Sequence, residues 1–463
     1  MHGCYIFVFI SGESLTNVTC TLFSFPPVRY EVAVVPSNPN PGYFNYDDAS
    51  IYGPRRWKNI QRIERGDPGF FWHTFDLPRP VTNDCGSGKR QSPIDLCTRP
   101  RESCTETHEM RPKSGDYRMD SDFITKVILP NKLRMVMAPR TGKEPDPPQI
   151  DFSSNGQGIT DMTHIEIKFP SEHTICGQRF DGEMQYFTFH PFRKRFVAVS
   201  FFLDASEDNP RNEHMQEPID VFTELWKDDQ RRCRDNGGGS RAGASFASSF
   251  ASGGGGRSLV GRDGDPAADP AWGSDGLPVD LDTLDSLNST LYELLAANDE
   301  DAPASNATAE EEEGERRRRR RRLMLKWHPF HPDVQKTVHF WGYKGSPTEP
   351  PCTSNSVDWK VMDVPTPISP RQLALFRHLL FAHIDGSCRR TSVHGGGASG
   401  VARPTQVPDQ RYYKCTRDDY VSDEERAVCG DAGCRGGAFG AGLNPYYEPI
   451  VHVTGPPTRS PSK

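Results

Sequence analysis

The chain has 463 residues, 62 acidic and 55 basic, for a formal net charge of −7, an imbalance too mild to give a general reason to bind nucleic acid. Hydrophobic residues make up 35% of it, against 41 Gly and 40 Pro, so a good part of the chain cannot be packed core. No run approaches the ~18 apolar residues of a membrane span, which argues against an integral membrane protein.

Residues 1–42 read as a leader with a Pro-rich boundary at Pro36–Pro41. Within it Cys4–Ile10 is an apolar run, read either as a degenerate or mis-started signal segment or as a buried strand. From residue 43 to 233 the chain carries short β-type segments, among them Lys126–Leu129, Leu133–Met137, Thr163–Phe169 and Arg195–Leu203, followed by a helix-like stretch over Glu217–Asp229. Residues 234–324 then turn Gly- and Ser-rich, with Gly237–Gly239 and Gly253–Gly256, a composition that buries too little apolar surface to offset its chain entropy. A strand-like pattern resumes at Thr337–Tyr343. The segment is therefore expected to loop out of one domain built from residues 43–233 and 325–413.

Two features inside the insertion stand apart. Leu277, Leu281, Leu284, Leu291 and Leu295 recur at helical spacing with Asp280, Asp282, Asp285 and Glu293 between them, the pattern of an acidic amphipathic helix. It either packs on its own domain or docks a protein partner. Glu310–Glu313 precede the run Arg316–Arg322, read as a solvated patch, with protease cleavage or polyanion binding as alternatives. The tail, residues 414–463, is an irregular extension holding Cys415, Cys429 and Cys434. Twelve cysteines without a Cys-x-x-Cys pair point to disulfides and an oxidising setting, extracellular or in the secretory lumen. Sequons at Asn17, Asn288 and Asn306 are compatible with glycosylation.

The motifs are more specific. His164–Thr174 reads His-Ile-Glu-Ile-Lys-Phe-Pro-Ser-Glu-His-Thr, and Glu183–Phe187 follows as Glu-Met-Gln-Tyr-Phe. Gly345–Thr353 reads Gly-Ser-Pro-Thr-Glu-Pro-Pro-Cys-Thr, and Gln91–Leu96 reads Gln-Ser-Pro-Ile-Asp-Leu. Phe44-Asn45-Tyr46 with Gly53-Pro54 and Trp57, the strand Val199–Leu203, Val357-Asp358-Trp359, and Arg403-Pro404-x-Gln406 running on to Arg411 complete an ordered set. Together they resemble the α-type carbonic anhydrase family. The resemblance implies a mainly β fold with short helices (α+β), built on a large, mostly antiparallel twisted central sheet. It also implies a disulfide between Cys85 and Cys352.

That family holds zinc through three neutral imidazoles and an open fourth position, which lowers the pKa of bound water to about 7. Strand alternation makes residues i and i+2 on one strand and one residue on its neighbour converge. Here the three ligand positions read Glu166, Lys168 and Gln185, and a protonated ammonium has no lone pair to give a metal. No cofactor is expected on this reading. Glu166 and Lys168 either pair in the cavity with the Gln185 amide completing their hydrogen bonds, or lie solvated at an eroded cleft. A slipped set of His164, Glu166 and Gln185 is the weak alternative for zinc. His190 has the opposite parity to Gln185 and is expected to point away.

By the same resemblance Thr348 matches the threonine that orients the zinc-bound hydroxide, and Glu172 the glutamate that accepts its proton. The family's proton-shuttle position falls near Lys132. Phe187, Pro347, Glu349 and Trp359 are expected to line the pocket. The leading expectation is a carbonic-anhydrase-like protein without CO₂ hydratase activity, its fold retained for binding or structural use. The alternatives are an active carbonate dehydratase with unusual metal ligands, and an extracellular polyanion-binding or adhesion module.

Overall fold

The structure is a computed structural model that describes residues 30, 32, 35–36, 39, 42–60, 83–96, 109–111, 123–137, 146–152, 158–190, 195–236, 281–299, 327, 329–396, 399–407 and 412–415. The expectations for Cys4–Ile10, Leu277, Arg316–Arg322, Cys429, Cys434 and the sequons at Asn17 and Asn306 lie outside these residues.

The first strands are β1 (Glu109–Arg111), β2 (Ile124–Leu129), β3 (Lys132–Met137), β4 (Gln149–Asp151) and β5 (Thr160–Lys168). A two-stranded ribbon, β6 (Thr174–Ile175) and β7 (Gln178–Arg179), precedes the long strands β8 (Gly182–His190) and β9 (Arg195–Asp204). Helices α1 (Glu213–Asp235) and α2 (Leu281–Asp299) follow. The chain then forms β10 (Phe340–Gly345), β11 (Val357–Met362), β12 (Thr366–Pro367), helix α3 (Pro370–Phe381) and β13 (Tyr413–Cys415).

Among the described residues eleven strands form one sheet, whose main path runs β1, β4, β5, β8, β9, β11, β10, β13, with the β2–β3 hairpin added alongside β5. Pairings are antiparallel except that β11 and β12 run parallel to β9. The fold is thus mainly β, as the resemblance implied. The parallel pair joins strands from both sides of residues 237–280, because β11 lies directly on β9 from Val357↔Phe196 to Val361↔Ser200.

Local chemistry explains the helix starts. The Asn212 side chain accepts from the His214 and Met215 amides and caps α1, and Ser369 with Gln372 forms a capping box ahead of Pro370 in α3, each satisfying amide groups that a first helical turn leaves unpaired. With 23 residues, α1 extends well beyond the stretch expected from sequence. It packs on β2 and α3.

The acidic helix expected in the insertion is present as α2. Leu291 is fully buried, Leu287 packs on Cys233, Ile384 and Cys388, and the Leu287 carbonyl lies 3.1 Å from His378 Nε2. Asp285 pairs with Arg234. Leu287 and Leu291 of α2 thus pack on their own domain.

Cys85 and Cys352 are bonded, with Cα atoms 4.8 Å apart, across 267 residues. A second bond, Cys233–Cys388, ties the end of α1 to the turn after α3. No cysteine among the described residues is free. No described helix is long and apolar enough to cross a membrane. Replacing Cys85 and Cys352 together by serine is expected to cost about 2–5 kcal/mol, since so long a loop is closed. Urea unfolding of parent and variant under non-reducing conditions measures this.

Candidate functional site

The site grows from strand register. β5 and β8 pair Glu166 with Gln185 and Lys168 with Glu183, so alternation sets His164, Glu166 and Lys168 on one face beside Phe187, Gln185 and Glu183. On the other side of β5, Arg134 of β3 lies opposite Glu166, and Lys132, two residues earlier, shares its face. The turn after β10 adds Thr348 and Glu349, and the turn after β5 adds Glu172. β8 pairs with β9 without a slip from Gly182 to His190, so His190 keeps the parity opposite to Gln185.

Lys132, Arg134 and Lys168 face Glu166, Glu172 and Glu349, and every one of these side chains is buried. Lys168 Nζ donates to Glu172 Oε2 at 2.9 Å and to Thr348 Oγ1 at 3.0 Å. The Thr348 hydroxyl in turn donates to Glu172 Oε2 at 2.5 Å. Glu166 takes both Nε (3.0 Å) and Nη2 of Arg134 on Oε1, and Lys132 Nζ on Oε2 at 3.2 Å. Lys132 also donates to Glu349 Oε1, while Asn131 Nδ2 donates to Glu349 Oε2 at 2.5 Å and to the Tyr46 hydroxyl at 3.2 Å. Three cations and three anions thus cancel inside the fold, which buried charges require.

The sequence expectation of an internal Glu166–Lys168 pair needs refinement. These two groups are 3.8 Å apart, but their short hydrogen bonds go elsewhere: Lys168 to Glu172 and Thr348, Glu166 to Arg134 and Lys132. Gln185 does not complete either of them. Its Nε2 donates to Glu172 Oε2 at 3.1 Å and to Glu183 Oε1 at 2.9 Å. The solvated alternative is excluded by burial. Pro347 and Glu349 are buried too, and Phe187 and Trp359 belong to the hydrophobic core with Tyr343, Phe202 and Val361. All four residues expected to line the pocket are buried.

Behind Gln185 lies a second polar layer. Glu183 accepts from the Glu172 and His173 amides at 2.7 and 2.8 Å and from Ser200 Oγ at 2.6 Å, and its Oε1 is 2.7 Å from His173 Nδ1. His173 Nε2 continues to Tyr343, whose hydroxyl donates to Ser92. Sequence reasoning missed Arg134, Asn131, Tyr46 and Glu183 as members. Glu183 and Arg134 were within reach, because each stands two residues from a position already singled out.

Burial opposes the charge of Glu166, yet Lys132 and Arg134 outweigh it and hold the carboxyl well below its usual range. Burial likewise opposes the Lys168 ammonium, but Glu172 and Glu349 hold its pKa well above the ordinary lysine value. Lys132 is pulled down to about 8 by burial and Arg134, despite Glu166 and Glu349, and remains mostly a cation at neutral pH. Burial lowers His164 to about 4. It stacks on Phe187 with ring centroids 4.7 Å apart as a neutral ring.

These groups do not fit a zinc ion. The Lys168 nitrogen is a donor to two oxygens, the Glu166 oxygens are taken by Arg134 and Lys132, and Gln185, held through its nitrogen by two carboxylates, offers only a neutral amide oxygen. His164 has Nδ1 2.9 Å from Thr163 Oγ1 and Nε2 3.5 Å from Glu166 Oε1. Among the described residues no three His, Cys, Asp or Glu side chains converge as a metal site would need.

Residues 302–411 match the family model for eukaryotic-type carbonic anhydrase. Over those residues the chain is similar to that family. It is 25% identical to dioscorin DB3L of Dioscorea polystachya over 178 residues, 37% of this chain and 52% of the relative, so the match spans about half the length of that relative. Among solved structures, a dioscorin complexed with ascorbate is 16% identical, covering 81% of this chain and 100% of its own, with a TM-score of 0.40. The α-carbonic anhydrase of Thermovibrio ammonificans, solved with sulfanilamide, is 14% identical over 81% of this chain and 99% of its own, with a TM-score of 0.37.

The buried charges generate two predictions. Lys168→Met leaves Glu172 buried without its cation and is expected to cost about 3–5 kcal/mol, whereas Lys168→Met with Glu172→Gln costs clearly less; urea unfolding of both variants decides. The second concerns acid. His164 and His378 are both lowered to about 4 by burial, so each favours the neutral ring in the folded state. Their contribution is complete above the ordinary value of 6.5 and is lost as pH falls toward 4, up to about 3 kcal/mol each. Stability should therefore drop between those pH values, and His164→Phe should flatten part of the drop.

Proposed function

We propose that this carbonic-anhydrase-type domain does not hydrate CO₂ and serves a binding or structural role, in an extracellular or secretory-lumen setting. The observation that carries the reading is the place of the Lys168 ammonium, 2.9 Å from Glu172 and 3.0 Å from Thr348. In the family those two residues orient a zinc-bound hydroxide. Here a fixed donor takes their oxygens, and it supplies no nucleophile, since its pKa is held well above the usual lysine value. Thr348 and Glu172 are then vestigial as a gate and active as a structural pair. The bonded cysteines support the oxidising setting.

Metal analysis and CO₂ hydration assays on the purified chain test this directly. The expected results are substoichiometric zinc and no rate above background; near-stoichiometric zinc or hydratase activity removes the proposal. Glu166→His, Lys168→His and Gln185→His together are expected to create zinc affinity that the parent lacks. That variant should also be less stable than the parent, because Arg134 and Lys132 lose their shared carboxylate.

A further inference from the structure

Glu349 differs in origin from the other acids of the cluster it completes. Glu166 is fixed by strand β5, but Glu349 is brought in by the turn after β10 and places its carboxylate among donors from other elements. Lys132 Nζ donates to Oε1, Asn131 Nδ2 donates to Oε2 at 2.5 Å, and Lys168 Nζ stands 3.9 Å from Oε2. These three donors are at most 1% exposed. Each oxygen of the carboxylate has its own donor, the arrangement by which a protein holds a bound monoanion.

We infer that Asn131, Lys132 and Lys168 form a buried binding site for a small carboxylate, which Glu349 occupies from within the chain. Without Glu349 three basic side chains stand against two carboxylates in a water-poor interior, and the Asn131 amide and the Lys132 nitrogen each lose an acceptor that a bound monoanion restores. The shape of the space specifies the class. Glu349→Ala removes a methylene and a carboxylate, and acetate restores both. The inference rests on the reading that an ammonium, not a metal, stands at residue 168. It also means that the parent site is closed to external ligands.

The test is thermal unfolding of the full-length Glu349→Ala chain in a metal chelator, titrated with sodium acetate against sodium chloride and acetamide at matched concentration. The expected result is a melting temperature that falls on substitution and then rises by several degrees, saturably, with acetate alone. The parent and Glu349→Gln, which fills the space without charge, should not respond. Lys132→Met added to Glu349→Ala should abolish the response. If Glu349→Ala does not fold in buffer, its refolding yield in acetate against chloride reads the same property. Equal effects of acetate and chloride, a response in Glu349→Gln, or no recovery with acetate would each overturn the inference. Zinc content of the parent is measured separately, so a failure of the metal-free reading is distinguishable.

Discussion

Lys168 ends a nine-residue strand whose last five residues are all buried, so its ammonium has to find anions inside the protein. Removing such a charge from water costs several kcal/mol, recovered only if close opposite charges and hydrogen bonds replace the water. That constraint propagates outward. Glu172 and Thr348 are committed to Lys168, and Glu166, beside it on the strand, needs Arg134 and Lys132 for its own charge. Lys132 then requires a second carboxylate, which the Glu349 turn supplies. Three cations and three acids on β3, β5 and two turns form one closed circuit, and no member can be removed without leaving another uncompensated.

The circuit is seated between two kinds of packing. On one side, β8 and β9 contribute Phe187 and Phe202, and β10 and β11 contribute Tyr343 and Trp359, to an aromatic core. On the opposite parity, Ile165, Ile167, Tyr186 and Phe201 are fully buried. The alternation of β5 therefore separates isoleucines on one face from charges on the other. A slip of one residue would drive Glu166 and Lys168 into the apolar layer, so the charges help fix register as well as fill space.

Much of this architecture was legible in the chain. The β-type segments over residues 126–129, 133–137, 163–169 and 195–203 all fall within or across observed strands, because half-buried strands advertise themselves by alternation and β-branched content. The leucine spacing of α2 likewise announced a helix. What could not be read was pairing. Whether Lys168 turns to Glu166, two residues away, or to Glu172, four residues away, depends on where the following turn places a carboxylate, and β5 has a register shift between Met162 and His164. The Cys233–Cys388 bond was equally hidden, since twelve cysteines admit many pairings and spacing alone selects none. Leu287 packs on that bond, so the docking of α2 was hidden with it.

A buried ion network is weak support for stability, because hydrophobic replacements of the same volume often do as well. Its retention here is better explained by geometry than by energy. Residues 166, 168 and 185 lie on adjacent strands with their side chains buried, and polar groups left there without partners are costly. Aliphatic side chains at residues 166 and 168 would strand the hydroxyl of Thr348 and the carboxylate of Glu172, which reach the site from outside β5. Lysine at 168 is long enough to meet both, and it carries the charge that Glu172 needs. With that lysine in place, Glu349 and Lys132 pair beside it, both buried. Keeping Thr348 and Glu172 partnered is thus the constraint that Lys168 answers, and the rest of the cluster follows from the charge that it brings.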